Sequence, residues 1–452
     1  MRRLVMPLAL VLNACVPATP LQDTATRAVQ VATSDLPPMK SFGAPRPQRT
    51  GKANSDIALD FIELAFALES GRDLPVLTRF EGPISVRVTG QPPATLQSDL
   101  GMLLRRLQTE ARIDIRQVSA RSKANITIEA VSRADIRRAL PHAACFVVPG
   151  ITTLKDYKAA RRTARTNWTL LRTRQKLAIF LPADASPQEV RDCLHEELAQ
   201  AIGPLNDLYR LPDSVFNDDN VHTVLTGFDM LILRAYYDPA LKSGMTRGQV
   251  ATKLPAILRR INPAGEGQRP TLYTRTPRAW SEAVQTALGP GANPSQRRSA
   301  AARALKIASA MGWQDHRRAF AHYAKGRLLL STDPAEAQRH FSAADAFYAR
   351  TPGAHLHRAY VATQLAAFAI SQGDGTSALM LIAPYVDRAA QNENAALLST
   401  LMLLRAEALE LQGRMSEAQA VRLDSLGWAR YGFGPDWAVR AKLREIAALS
   451  PT

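Results

Sequence analysis

Residues 192–207 read Asp192-Cys193-Leu194-His195-Glu196-Glu197-Leu198-Ala199-Gln200-Ala201-Ile202-Gly203-Pro204-Leu205-Asn206-Asp207. The stretch belongs to a well-marked helix. Ser186 is an N-cap residue, Pro187 stands at the first helical position and Glu189 lies three after the cap. Gly203 marks the end. At about 100° per residue, Val190, Leu194, Leu198, Ala201 and Ile202 form one apolar stripe. Glu196 and Gln200 share a neighbouring face, with Glu197 at the border. His195 falls away from them, beside Gln188, Asp192 and Ala199, on the side expected to face solvent. The residue four after His195 is Ala199, so His195 has no partner histidine with which to hold a metal.

Shifted by one residue, the pattern becomes more informative. Glu196-Glu197-x-x-Gln200-x-x-Gly203-x-x-Asn206 resembles the metzincin metallopeptidase motif H-E-x-x-H-x-x-G-x-x-H. The resemblance implies a general base at Glu197, a turn at Gly203 and ligand positions at Glu196, Gln200 and Asn206, with Asp207 adjacent. All three zinc histidines are replaced. Zinc favours His nitrogen and Cys sulfur, so one carboxylate and two amides make a poor zinc site. An oxygen-only set suits calcium, magnesium or manganese better. Calcium needs further ligands, which Asn217, Asp218, Asp219 and Asn220 can supply only by folding back. Three readings stay open. The polar residues pin the loop to the helix, or they floor a degenerate groove that binds peptide or glycan, or they serve a metal-dependent hydrolase. No cofactor is expected, and a divalent metal belongs only to the third reading.

Outward from this helix, an alternating strand at "PISVRVTG" precedes a helix at "TLQSDLGMLLRRLQTEA". Strands follow at "IDIRQV", "ANITIEAV", "ACFVVPG" and "KLAIFLPA", with a short helix at "SRADIRRAL". An earlier helix opens at "SDIALDFIELAFAL", with Ser55 or Asp56 as cap, and a later one at "TGFDMLILRAYYD", with Thr226 and Asp229 as a capping box. The order is similar to that of a metzincin half-domain. The fold class expected over residues 55–265 is therefore α+β and zincin-like, with a mixed sheet. Four blocks, "RFEGPISVRV", "CLHEELAQAIGPLND", "SVFNDD" and "YYDPALKSGMT", resemble a proteobacterial lipoprotein family known as domain of unknown function 2927, over roughly residues 56–250. The resemblance implies a secreted or lipid-anchored protein and supplies no catalytic residues.

Residues 266–298, with "LGPGANPSQRR", read as a linker. Residues 299–452 read as an all-α stack. "DPAEAQRHF", "DGTSALMLI" and "MSEAQAVRL" each open a helix after a break, and each follows a longer helix. Ala337, Ala378 and Ala418 recur about 40 residues apart, the pattern of a TPR-like helical repeat able to bind a peptide or protein.

At the other end, Met1-Arg2-Arg3, the short apolar run Leu4 to Leu12, and Leu12-Asn13-Ala14-Cys15 read as a lipoprotein signal over residues 1–15, with Cys15 lipidated. Val16 after the cysteine favours the outer over the inner membrane. Residues 16–54 read as a disordered tether into the periplasm. In that oxidising compartment Cys145 and Cys193 are expected to pair, the alternative being two buried thiols. The net charge of +17 draws anionic partners such as envelope polymers or the membrane surface. Nucleic acid is not expected: no Cys/His finger, RRM-type aromatic platform or compact helix-turn-helix is legible. The function expected is that of a lipid-anchored binding or scaffolding protein built on a catalytically degenerate, metallopeptidase-like domain. The alternative is a metal-dependent hydrolase with Glu197 as base.

Overall fold

The computed structural model describes residues 34–43, 48–271 and 274–451. Cys15 and the signal stretch lie outside the described residues. Strands β1 (Ile84–Gly90), β2 (Ile115–Gln117), β3 (Ile126–Val131), β4 (Phe146–Pro149) and β5 (Leu177–Pro182) form one sheet in the order β2-β1-β3-β5-β4. The first four strands in that order are parallel, and β4 runs antiparallel at the edge. β5 is buried along its whole length. Leu177, Ile179 and Leu181 enter one core while Ala178 and Phe180 enter another, so both faces of the strand are covered. This is why "LAIFLP" is continuously apolar rather than alternating.

Helices α1 (Asn54–Ala65), α2 (Leu96–Thr109), α3 (Arg133–Ala139), α4 (Leu154–Ala160), α5 (Pro187–Ile202), α6 (Gly227–Tyr236) and α7 (Arg247–Ile261) complete the mixed α/β region. α2 and α5 pack on one face of the sheet, α3 and α4 on the other. α5 begins and ends where its caps place it: the Ser186 hydroxyl accepts the Glu189 N–H at 3.2 Å. The Thr226–Asp229 capping box opens α6. α1 starts two or three residues earlier than the caps Ser55 or Asp56 suggested. Its N-cap, Ala53, makes no side-chain hydrogen bond, and Asp56 instead accepts the Thr271 N–H at 2.7 Å.

An all-helical stack follows: α8 (Arg278–Leu288), α9 (Pro294–Ala310), α10 (His316–Leu329), α11 (Pro334–Ala349), α12 (His355–Ser371), α13 (Gly375–Ile382), α14 (Val386–Gln391), α15 (Ala395–Leu411), α16 (Met415–Phe433) and α17 (Asp436–Ala447). The pairs α10–α11, α12–α13 and α15–α16 are the helical hairpins foreshadowed by the breaks. Ala337, Ala378 and Ala418 are fully buried within them. Gly373 and Gly413 end α12 and α15 at positive φ, a conformation that suits glycine at these caps.

Two boundaries differ from those read in the sequence. Residues 266–298 are not a plain linker, because α8 lies inside them and buries Trp280, Ala283, Val284 and Ala287 at helical spacing. The breaker Gly289-Pro290-Gly291 is only the turn between α8 and α9. The stretch 16–54 is likewise not wholly a free tether. The Lys40 N–H donates to the Gly427 carbonyl at 3.0 Å, and Phe42 stacks on Trp428 with ring centroids 4.7 Å apart. A Cβ at Gly427 would meet Lys40 Cγ at 2.8 Å, so the glycine is what admits this segment to α16. Residues from Leu36 onward form one compact unit. Among the described residues no helix is long and apolar enough to cross a membrane.

Candidate functional site

α5 is held on every side. Cys193 is disulfide-bonded to Cys145, immediately before β4, which staples the helix to the sheet edge. At its C-terminus the buried Arg174 guanidinium donates to the carbonyls of Gln200 (2.7 Å), Ala201 (2.8 Å) and Gly203 (2.5 Å). These carbonyls lack helical partners, and a cation there also opposes the negative end of the helix dipole. Gly203 itself has φ −140° and ψ −130°, outside both the extended and the left-handed regions. A Cβ there would meet Leu233 Cδ2 at 2.5 Å. The glycine therefore serves the close approach of α6 rather than a left-handed turn.

The face expected to meet solvent does not. His195 is 2% exposed, and its Nδ1 accepts the Leu225 N–H at 3.2 Å. Burial, then Arg191 and Arg106 nearby, push its pKa well below the usual histidine value. Gln188 accepts the Ala395 N–H at 2.8 Å, from the start of α15. The neighbouring Arg191 pairs with Asp99 at 2.9 Å and with Glu393, while the Tyr431 hydroxyl donates to Asp99 at 2.9 Å. The helical stack thus covers the polar face of α5, and His195 is a structural residue.

The opposite polar face carries the chemistry. Glu196, Glu197 and Asp207 lie electrostatically close to Glu69, which follows α1, and Glu196 and Asp207 also to Asp218, from the loop before α6. The Gln200 amide donates to Glu69 at 3.1 Å. The Gln285 amide, on α8, donates to Asp218 at 3.1 Å, and the Tyr209 hydroxyl bonds the same carboxylate. Among the described residues none of these five carboxyls forms an ion pair. Burial, then Glu69 and Asp218, push Glu196 up to about 7. Burial, then Asp218, push Glu69 up to about 7 against the Gln200 hydrogen bond, although Glu69 is open to solvent on one side. Glu197 and Asp207 are driven well above the carboxylate range, again by burial first and by their acidic neighbours second. Glu197 Oε2 and Asp207 Oδ1 are buried without a hydrogen-bond partner.

Three of the carboxyls line two clefts of about 1110 and 1340 Å³: Asp207 the first, Asp218 the second and Glu69 both, together with Tyr209, Glu282 and Gln285, while Glu196 and Glu197 are not part of either lining. One wall belongs to the α/β domain and the other to α8 and α9. The residues of the metzincin-like spacing are brought together only in part. Asn206 lines the first cleft with Asp207, but its amide is spent on the Glu63 carbonyl at 3.0 Å rather than on a carboxyl of the cluster. Asp218 does fold back, as an oxygen-rich site would need. Even so, among the described residues no group of three or more His, Cys, Asp or Glu side chains is arranged to hold a metal ion. Glu69, Tyr209, Gln285 and Arg174 carried no sequence signal: each comes from a separate element and is joined to the site only by the tertiary fold.

These features define a class: a mixed α/β domain with a five-stranded sheet, joined to an all-helical stack, with an acidic groove between them. Residues 54–256 match a family described as protein of unknown function (DUF2927), and the chain carries a DUF2927 domain over that span. No curated protein and no solved structure matches the chain.

Proposed function

We propose that the protein is a peptide-binding protein of the cell envelope, anchored by lipid on Cys15 and facing the periplasm from the outer membrane. Its groove is that of a zincin-like domain whose peptidase chemistry has been exchanged for recognition. The observation that carries this reading is the divergence of the zinc-ligand positions. Gln200 spends its amide on Glu69, Asn206 spends its amide on the Glu63 carbonyl, and Glu196 sits among carboxyls. The order β1-α2-β2-β3-α3-β4-α4-β5-α5, a strand and a long helix, then four strands and the helix carrying Glu197, supports zincin-like ancestry, with α3 and α4 as additions between the later strands. The buried alanines of the three hairpins support a TPR-like stack, which would offer further surface to a protein partner. The charge of +17 would favour a polyanionic envelope polymer nearby.

The test is peptide binding by the intact soluble chain, with and without a chelator, followed by mass spectrometry of the peptides. Binding should survive chelation, and the peptides should emerge intact. One observation favours the second reading, a metal-dependent hydrolase: Glu197 occupies the general-base position with Oε2 uncommitted. Metal-dependent cleavage of a peptide or cell-wall polymer, lost in Glu197→Gln, would establish that reading and sink the first.

A further inference from the structure

We propose that the floor of the groove receives the ammonium or guanidinium group of a lysine or arginine side chain in the bound peptide, among Glu69, Glu196, Glu197, Asp207 and Asp218. The inference rests on the peptide-binding reading and adds the chemistry of the ligand.

Elsewhere in this chain most buried acids have cations, and Asp229, which has none among the described residues, accepts from the Ser214 hydroxyl and the Val215 and Thr226 N–H groups. Asp99 pairs with Arg191, Asp60 with Arg210, Asp238 with Arg260 and Glu407 with Arg422. The chain holds 57 Lys and Arg against 40 Asp and Glu, so cations are not scarce. Five acids gathered without one are therefore out of keeping with the rest of the fold. A second, independent observation points to a ligand. Glu197 is 5% exposed, and its Oε2 meets no donor. Asp207 Oδ1 is in the same condition. An unmet buried acceptor costs about 1–3 kcal/mol, more if charged, and the cost is relieved when a donor arrives.

The missing donor must bring both N–H groups and positive charge. The two amides within reach, Gln200 and Gln285, are already committed to Glu69 and Asp218. A metal needs several donors within about 2.0–2.6 Å of one point, an arrangement absent among the described residues. An ammonium offers three donors and a guanidinium five, reaching acceptors at about 2.7–2.9 Å, so either spans a more widely spaced set of carboxyls. The rims narrow the choice further. Arg247 and Arg275 line one cleft and Arg303 and Arg327 the other, all exposed. They would repel a polyamine. They suit a peptide in which acidic groups flank one central cation.

The experiment is calorimetric titration of the intact protein with the capped peptide acetyl-Asp-Ala-Lys-Ala-Asp-amide, its arginine counterpart and its Nζ-acetylated lysine form. The lysine and arginine peptides should bind, and Nζ-acetylation should weaken binding at least about tenfold, the loss of a charge-assisted hydrogen bond. Glu197→Gln and Glu69→Gln should each weaken binding similarly, in proteins that melt no lower than the parent. Because Glu69 and Glu196 hold protons near pH 7, seating the cation should release protons, and the measured enthalpy should track the ionisation enthalpy of the buffer. Equal affinity for the acetylated peptide would overturn the cation and leave the peptide-binding reading standing. No binding of any peptide, with Ca2+ or Mn2+ binding to chelator-treated protein instead, would assign the floor to a metal and overturn both. No binding of any probe would also overturn both.

Discussion

α5 has two polar faces, and the fold treats them in opposite ways. On the seam with the helical stack, charge is balanced: Arg191 lies between Asp99 and Glu393, and Tyr431 completes Asp99. On the groove floor charge has one sign, and two buried oxygens have no partner. Both clusters are built by residues of both regions, and the same helix carries both. Burial alone therefore does not separate structure from function here. What separates them is charge. On the seam each acid has the Arg191 guanidinium as its counter-ion, although Arg191 Nε and Glu393 Oε1 lack a hydrogen-bond partner there too, whereas on the floor no cation among the described residues meets the acids.

The largest expected effect lies on the seam. Arg191→Ala leaves two buried carboxylates facing each other, and breaking a buried pair costs about 3–5 kcal/mol. Urea unfolding at pH 7 measures it through the midpoint, and a loss below about 1 kcal/mol would break the distinction between the two faces. Next comes the staple. Replacing both Cys145 and Cys193 by Ser reopens a 48-residue separation and should lower stability by about 2–4 kcal/mol. A reducing agent should do the same to the parent and nothing to the variant.

The floor should respond with the opposite sign. Glu197→Gln removes a buried carboxyl that has no cation, so the ligand-free protein should gain about 1–2 kcal/mol at pH 8. The gain should shrink toward pH 5, where the carboxyl of the unfolded chain also begins to hold its proton. A destabilised variant at pH 8 would mean that Glu197 already has a partner in solution, and the floor would lose its claim to be incomplete. A gain in stability coupled to loss of ligand binding is the trade expected of a functional site.

The contrast also explains what the sequence could carry. The bounds of α5, its Ser186 cap, the Thr226–Asp229 box and the three hairpins rest on spacing within a few residues, and all were legible. The Cys145–Cys193 pair followed from compartment chemistry and is present as a bond. His195 was misplaced for a physical reason. An amphipathic pattern assigns one face to the core and the other to solvent, but here a second region covers the face left over. The same cause hid α8, whose apolar stripe is short and lies between Pro- and Gly-rich breaks. Glu69 and Gln285 meet their floor partners Gln200 and Asp218 across 131 and 67 residues of chain, and no local pattern encodes such a meeting.

The smallest expected effect is the most discriminating, because the groove floor and a buried histidine at the contact between the regions predict opposite limbs of one pH profile. On the floor, Glu69 and Glu196 have folded pKa values of about 7, above the unfolded value of 4.5. Their contribution is fully present below about pH 4.5 and is lost as pH rises through about 7. Across the contact between the regions, His316 bonds the Tyr209 carbonyl at 2.6 Å. Burial, with His357 and Arg317 nearby and Asp315 opposing, holds its pKa down to about 4, against 6.5 when unfolded. Its contribution is present above pH 6.5 and is lost as pH falls through about 4. Two floor carboxyls outweigh one histidine over the pH range they share, so the melting temperature of the ligand-free protein should be highest near about pH 4.5, falling as pH rises toward 7 and falling again below it. Combining Glu69→Gln with Glu196→Gln should flatten the alkaline limb and leave the acid limb in place. His316→Gln should do the reverse, at a constant cost from the altered bond to Tyr209. A lysine-bearing peptide should lift the alkaline limb of the parent and not that of the double variant, because only the parent has carboxylates there to meet the cation. An alkaline limb unchanged in the double variant would place the pH sensitivity outside the floor, and the difference between the two faces of α5 would then have to be sought in something other than charge.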